Sequence, residues 1–130
     1  MKTICVDLDG VIAELRTEGQ SYSDVLPVDG AVAKLKNLKL SGNKIIIYTA
    51  RHMKTTEANV GLVMAKMGKI TLDWLQKYNV PYDEIYFGKP WADIYIDDNA
   101  YRFEGWALIA GDAHGLPESN ESLILNKKSK

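Results

Sequence analysis

Asp7 and Asp9 stand one residue apart in the run Ile4-Cys5-Val6-Asp7-Leu8-Asp9-Gly10-Val11-Ile12, where an apolar stretch stops abruptly before a glycine. Two carboxylates about 4 Å apart repel by roughly 4 kcal/mol at an effective dielectric of ~20, so the pair needs a cation or a shared proton. Further along come Thr49, Lys89 and the acidic doublet Asp97-Asp98, each after a short apolar run. Together these residue types suit phosphoryl transfer. A carboxylate such as Asp7 can attack phosphorus and carry it as an aspartyl phosphate, dividing a hard hydrolysis into two easier steps. Carboxylate and phosphate ester are both anionic, so magnesium is expected between them, held by oxygen ligands from Asp7, Asp97 and a backbone carbonyl. Lys89 adds a compact positive charge against the transferring phosphoryl oxygens, and Thr49 adds a small hydroxyl donor. Asp9 is placed to give a proton to the leaving oxygen and later to accept one from water. Gly10 lets the chain turn sharply beside the pair.

These residues need a scaffold that brings them to one edge. Lys2 to Leu8 reads as a first strand, its β-branched run suiting a sheet covered on both faces, with Cys5 part of the core. After a polar excursion from Glu14 to Asp29, Val28, Ala31, Val32, Leu35 and Leu38 recur at helical spacing, and Ser41-Gly42-Asn43 closes that helix. Ile45 to Tyr48 is a second strand. A further helical stripe runs through Val60, Val63, Met64, Met67, Ile70, Trp74, Leu75 and Tyr78, with Met64 and Trp74 expected in the core. Gly61 and Gly68 weaken its continuity, and Pro81 ends it. Glu84 to Phe87, Asp93 to Ile96 and Trp106 to Ala110 read as three more strands. Strands separated by helical patterns predict an α/β fold, a doubly wound and mainly parallel sheet in three α/β/α layers. Right-handed crossovers would then carry Asp7, Asp9, Thr49, Lys89, Asp97 and Asp98 to one crevice at the C-terminal strand ends.

The 130 residues, 46% hydrophobic and 25% charged with a formal net charge of -1, read as one domain over 1–130 with a short flap at about 14–27 and a polar tail at about 112–130. Basic residues are dispersed except in the terminal Asn126-Lys127-Lys128-Ser129-Lys130, so no nucleic-acid partner is expected. No apolar run of about 18 residues and no leader pattern is present, which predicts a cytoplasmic protein without a membrane partner. The lone Cys5 cannot form an internal disulfide.

Taken in order, the motifs resemble those of the haloacid dehalogenase superfamily of phosphohydrolases. Asp7-Leu8-Asp9-Gly10-Val11 is similar to the first motif, Tyr48-Thr49-Ala50-Arg51 to the second, Gly88-Lys89-Pro90 to the third and Ile96-Asp97-Asp98 to the fourth. The likeness runs from Thr3 to about Ala110, with Val11 standing where threonine is usual. It implies that Asp7 is nucleophile and metal ligand, and that Asp9 is the acid/base and binds the metal through its carbonyl. It likewise implies that Thr49 and Lys89 hold the phosphoryl group, that Asp97 is the remaining protein ligand, and that Leu8, Ala50 and Arg51 line the substrate. Asp98 would orient a metal-bound water. Two stretches, Tyr48 to Thr55 and Tyr82 to Trp91, are similar to small capless phosphatases that accompany bacterial capsular polysaccharide genes. That closer likeness implies a small phosphorylated substrate, a sugar phosphate or related intermediate of surface polysaccharide synthesis. Neither Ile12 to Asp29 nor Thr49 to Lys89 is long enough for a cap domain. Selectivity would fall to the flap from Glu14 to Leu26, to Arg51 through Thr56, to a neighbouring subunit in a homo-oligomer, or to a bulky substrate.

Each motif alone has a plainer reading. Asp-X-Asp-Gly can be a turn, Lys89 a solvated lysine, and Asp97-Asp98-Asn99 a helix cap. Arg51 suits a second anionic group, a sugar hydroxyl or a structural ion pair, and His52 and His114 read as flanking and loop residues. Trp91 and Trp106 suit burial or the crevice wall. Four such features in this order argue for one site. A phosphoacceptor receiver domain also gathers aspartates, a threonine and a lysine, but its lysine comes last, whereas here the acidic pair follows Lys89. A non-catalytic phosphate-binding module is the other alternative, and retention of Asp7, Asp9, Lys89 and Asp97 weighs against it.

Overall fold

Isoleucine and valine runs form the strands, and their ends set the working edge. The computed structural model describes the backbone of residues 1–128 and the side chains of residues 1–125; Ser129 and Lys130, the end of the expected basic tail, lie outside the described residues. Strands β1 (Thr3–Asp7), β2 (Lys44–Thr49) and β3 (Glu84–Phe87) pair in parallel in the order β1-β2-β3. Asp7 lies opposite Tyr48, and Thr49 opposite Phe87, so all three strands finish at one edge. In β2 the side chains of Ile45, Ile47 and Thr49 are buried and their alternates half-buried, the period of two that a pleated strand imposes.

Helix α1 (Ala31–Leu40) buries Ala31, Leu35 and Leu38, as its spacing predicts, and ends where Gly42 donates its amide to the Lys39 carbonyl. The second helical stripe is continuous. It comprises α2 (Val60–Val63), a π turn over Met64–Gly68 and α3 (Lys69–Lys77). The glycines thus yield a change of helical pitch instead of a gap. The wider turn leaves Met64 43% exposed, a correction to its expected burial, while Met67 turns inward. Trp74 is buried as expected, and its Nε1 donates to the Val25 carbonyl at 2.8 Å. Leu8, Ile12, Leu35, Ile45 and Ile47 are wholly buried around it.

Helix α4 (Asn120–Lys128) takes up much of the segment expected as a polar tail. The two last expected strands do not form. Asp93 to Ile96 is irregular and exposed, and Trp106–Leu108 is a 3-10 turn. A four-residue run between Pro90 and Asp97 offers few ladder hydrogen bonds, and the Asp97 side chain instead accepts from the Asn99 amide in a local turn. Trp106 is drawn inward by donating its indole N–H to the Val11 carbonyl at 2.7 Å, which curls the chain after Gly105. Strand β1 is therefore an edge strand, and Cys5 is exposed, contrary to the core position expected of it. The class is α/β as expected, a small parallel sheet with flanking helices and no large cap among the described residues, with three strands in place of five. No described helix is long and apolar enough to cross a membrane.

Candidate active site

The turn after β1 is built by backbone bonds. Leu8 donates its amide to the Tyr48 carbonyl, and its own carbonyl accepts from the amides of Val11, Ile12 and Ala13. Gly10 has φ 87°, a left-handed conformation that disfavours any residue with a Cβ, and its amide reaches the Ala13 carbonyl at 2.7 Å. This knot presents Asp7 and Asp9 at the sheet edge. Leu8, expected beside the substrate, has its amide engaged and its side chain wholly buried.

Lys89 arrives from β3 by a second enforced turn. Gly88 has φ 100°, and the Lys89 amide then donates to the Thr49 carbonyl at 3.1 Å. Its Nζ lies 3.3 Å from Asp7 Oδ2 and 4.3 Å from the centre of the Tyr95 ring. Burial pushes the Asp7 carboxyl above its ordinary value; Lys89 pulls the other way without cancelling the rise, and Asp9 adds to it.

Asp9 is held from the second motif. Thr49 Oγ1 donates to Asp9 Oδ2 at 3.3 Å, and Arg51 Nε reaches both carboxylate oxygens at 3.0 and 3.2 Å. Arg51 Nη2 lies 2.9 Å from Asp9 Oδ1 without hydrogen-bond alignment, while Nη1 donates to Thr71 Oγ1 at 3.0 Å. Thr49 and Arg51, expected at the substrate, both contact Asp9. Thr49 is wholly buried and Arg51 is 2% exposed. The physical reason is charge: a guanidinium inside the protein must be paired, and the nearest carboxylate is Asp9. Ala50 is half-buried in the same turn and accepts from the Met53 amide. Thr71 was not singled out from the sequence, although a lone hydroxyl in an apolar helical stripe is a signal for such a contact.

Asp97 is not brought to this pair. Among the described residues no group of three His, Cys, Asp or Glu side chains could hold a metal ion. Asp97 and Asp98 are exposed on the irregular segment after Pro90, because the strand that would have delivered them does not form. Asp7 and Asp9 remain as an oxygen set, with side chains 37% and 24% exposed. That chemistry fits magnesium, which takes one or two carboxylates and completes its shell with water and phosphate oxygens. His114 is a loop residue bonded to Asp112, as expected, and Trp91 is exposed with Lys54 Nζ 4.2 Å from its ring centre.

Among solved structures, a crystal structure of a Vibrio cholerae protein described only as a structural target matches with a TM-score of 0.75 and 38% identity, covering 100% of both chains. A chain of the Pnkp1/Rnl/Hen1 complex matches with a TM-score of 0.50 and 24% identity over 75% of this chain and 31% of its own length, a likeness of fold alone. No protein-family model and no curated protein matches the chain.

Proposed function

We propose that this chain, which belongs to one family with the Vibrio cholerae protein, is a phosphomonoester hydrolase of the haloacid dehalogenase type, acting through an aspartyl phosphate on Asp7. The observation that carries the proposal is the pairing of Lys89 with Asp7 at the same edge where Arg51 and Thr49 hold Asp9. A phosphate ester entering that edge meets a carboxylate to attack it, an ammonium to balance its charge and a second carboxylate for proton transfer.

Asp7 attacks phosphorus in line, the bond to the leaving oxygen breaks, and protonated Asp9 gives that oxygen its proton. Water then attacks the acyl phosphate while Asp9, now ionised, takes the water proton. Inorganic phosphate leaves and Asp7 is restored. Lys89 stays beside the transferring oxygens throughout and offsets the charge they gather. Arg51 and Thr49 keep Asp9 aimed, which matters because a proton donor must lie within hydrogen-bond reach of its target. Magnesium, with Asp7 and Asp9 as its protein ligands, would supply charge neutralisation between nucleophile and ester. The substrate class of the proposal is a sugar phosphate or related intermediate of surface polysaccharide synthesis, in a cytoplasmic setting and with a homo-oligomer as the assembly. The substrate class rests on motif likeness.

Release of phosphate from p-nitrophenyl phosphate tests the reaction class. Wild type should turn over repeatedly with magnesium and fall silent in excess EDTA, and Asp7→Asn should be inactive. Steady turnover by Asp7→Asn would exclude Asp7 as nucleophile, and undiminished hydrolysis in EDTA would exclude the metal.

A further inference from the structure

The flap is anchored, and it leaves a cavity. Glu14 donates its amide to the Leu26 carbonyl and Val28 to the Ile12 carbonyl, which pins both flap ends beside the Asp9 turn. The Trp74 indole holds Val25 from below. Between this flap and the π turn lies a cavity of about 230 Å³, whose lining includes Arg16, Gln20, Tyr22, His52, Met67 and Ile70. Its wall touches the neighbourhood of Asp9 through Tyr22, because the Arg51 guanidinium that grips Asp9 lies 4.3 Å from the centre of the Tyr22 ring.

The lining reads as a binding surface. Met67 and Ile70 give it an apolar floor, and Tyr22 and His52 an aromatic wall with ring centres 6.0 Å apart, while the Gln20 amide is engaged within the flap by Thr17 and the Asp24 carbonyl. No Asp or Glu lines it, and Arg16 makes no ion pair among the described residues. Arg16 Nη1 donates to the Gln20 carbonyl, and its guanidinium carbon lies 5.2 Å from the Tyr22 ring centre, which holds the charge at the cavity instead of letting it sweep through solvent. His52 occupies a left-handed conformation at φ 57°, a strain of the kind that collects at binding sites. Met67 is delivered by a π turn, which is likewise frequent at such sites. Burial, followed by Lys66, Arg16 and Arg51, holds the His52 ring below its ordinary value, consistent with a positive potential there.

We propose that this cavity receives the part of the substrate beyond the phosphoryl group, and that it selects a small hydroxylated carbon skeleton carrying a second anionic group, which Arg16 binds. The proposal rests on the hydrolase reading for what lies next door. The hollow is open to solvent on one side, and its volume of about 230 Å³ accommodates a group of about monosaccharide size. Apolar floor and aromatic wall suit the carbon face of such a ring. The unpaired guanidinium suits a carboxylate or a second phosphate.

Two measurements test it together. The first compares kcat/KM for glucuronic acid 1-phosphate and for glucose 1-phosphate, which share the pyranose ring and differ only in a carboxylate in place of the C6 hydroxymethyl group. Wild type should prefer the former by on the order of tenfold or more, the scale of one charge-assisted contact. Arg16→Gln should erase that preference through KM, Arg16→Lys should restore part of it, and Lys36→Gln, an exposed charge on α1, should leave it intact. The second follows backbone amide shifts as glucuronic acid 1-phosphate is titrated, with changes expected at residues 16–22 and 52. Turnover without preference, or with a preference that survives Arg16→Gln, overturns the pocket assignment, as do absent shifts at those residues. Shifts there that vanish in Arg16→Gln, without hydrolysis of any ester, support the pocket and overturn the hydrolase reading.

Discussion

Replacing Arg51 by methionine removes the three contacts to Asp9 and leaves the carboxylate with only the Thr49 hydroxyl. General acid/base groups contribute about 10²–10⁴-fold, so Arg51→Met should lower kcat within that range and change KM little. A substrate-binding Arg51 would instead show mainly in KM. Steady-state kinetics on p-nitrophenyl phosphate separates the two. Asp7 makes a second prediction, about stability. Its folded carboxyl lies above the ordinary value, chiefly through burial, so the folded state holds its proton at pH values where the unfolded chain has lost it. Its ionisation therefore costs stability as pH rises through that window, and the cost is absent below the unfolded value of 3.8. Asp7→Asn, uncharged at every pH, should melt no lower than wild type at neutral pH in metal-free buffer, and the two should converge in acid. A marked fall in Tm on making Asp7→Asn would show that the Lys89 pairing outweighs burial.

At the scale of elements, the flap stands or falls with Trp74. The indole is 2% exposed and donates to the Val25 carbonyl at 2.8 Å, joining α3 to the flap base. Trp74→Ala should cost about 3–5 kcal/mol in urea unfolding, and Trp74→Phe about 1–3 kcal/mol, because the Val25 carbonyl would lose its donor. Equal effects of the two variants would mean that volume alone matters. A similar tie joins α1 to the sheet: Asp83 accepts from the β2 amide of Ile45 at 2.7 Å and pairs with Lys39 of α1. These contacts hold the Asp83 carboxyl below its ordinary value.

Across the whole molecule, the working edge was legible because it depends on patterns with short reach. Apolar runs ending in Asp7 and Thr49, and Gly88 before Lys89, are enough to specify parallel strands that finish together. What was not legible is which way a polar side chain turns once there. Thr49 and Arg51 look inward because Asp9 supplies the charge that a buried guanidinium requires, and only three dimensions reveal that neighbour. The fate of Asp97 also escaped, since Asp93 to Ile96 has strand-like residues but forms no ladder, and a local Asp97 to Asn99 turn competes. Cys5 is exposed for the related reason that β1 lies at the sheet edge.

Covalent capture tests the central assignment most directly. In Asp9→Asn the second step lacks its base, so after mixing with p-nitrophenyl phosphate and acid quenching, intact mass should show a single phosphoryl adduct. Peptide mapping should place it on Asp7. An adduct on any other residue, or full turnover by Asp9→Asn with no adduct at any time point, would contradict the account.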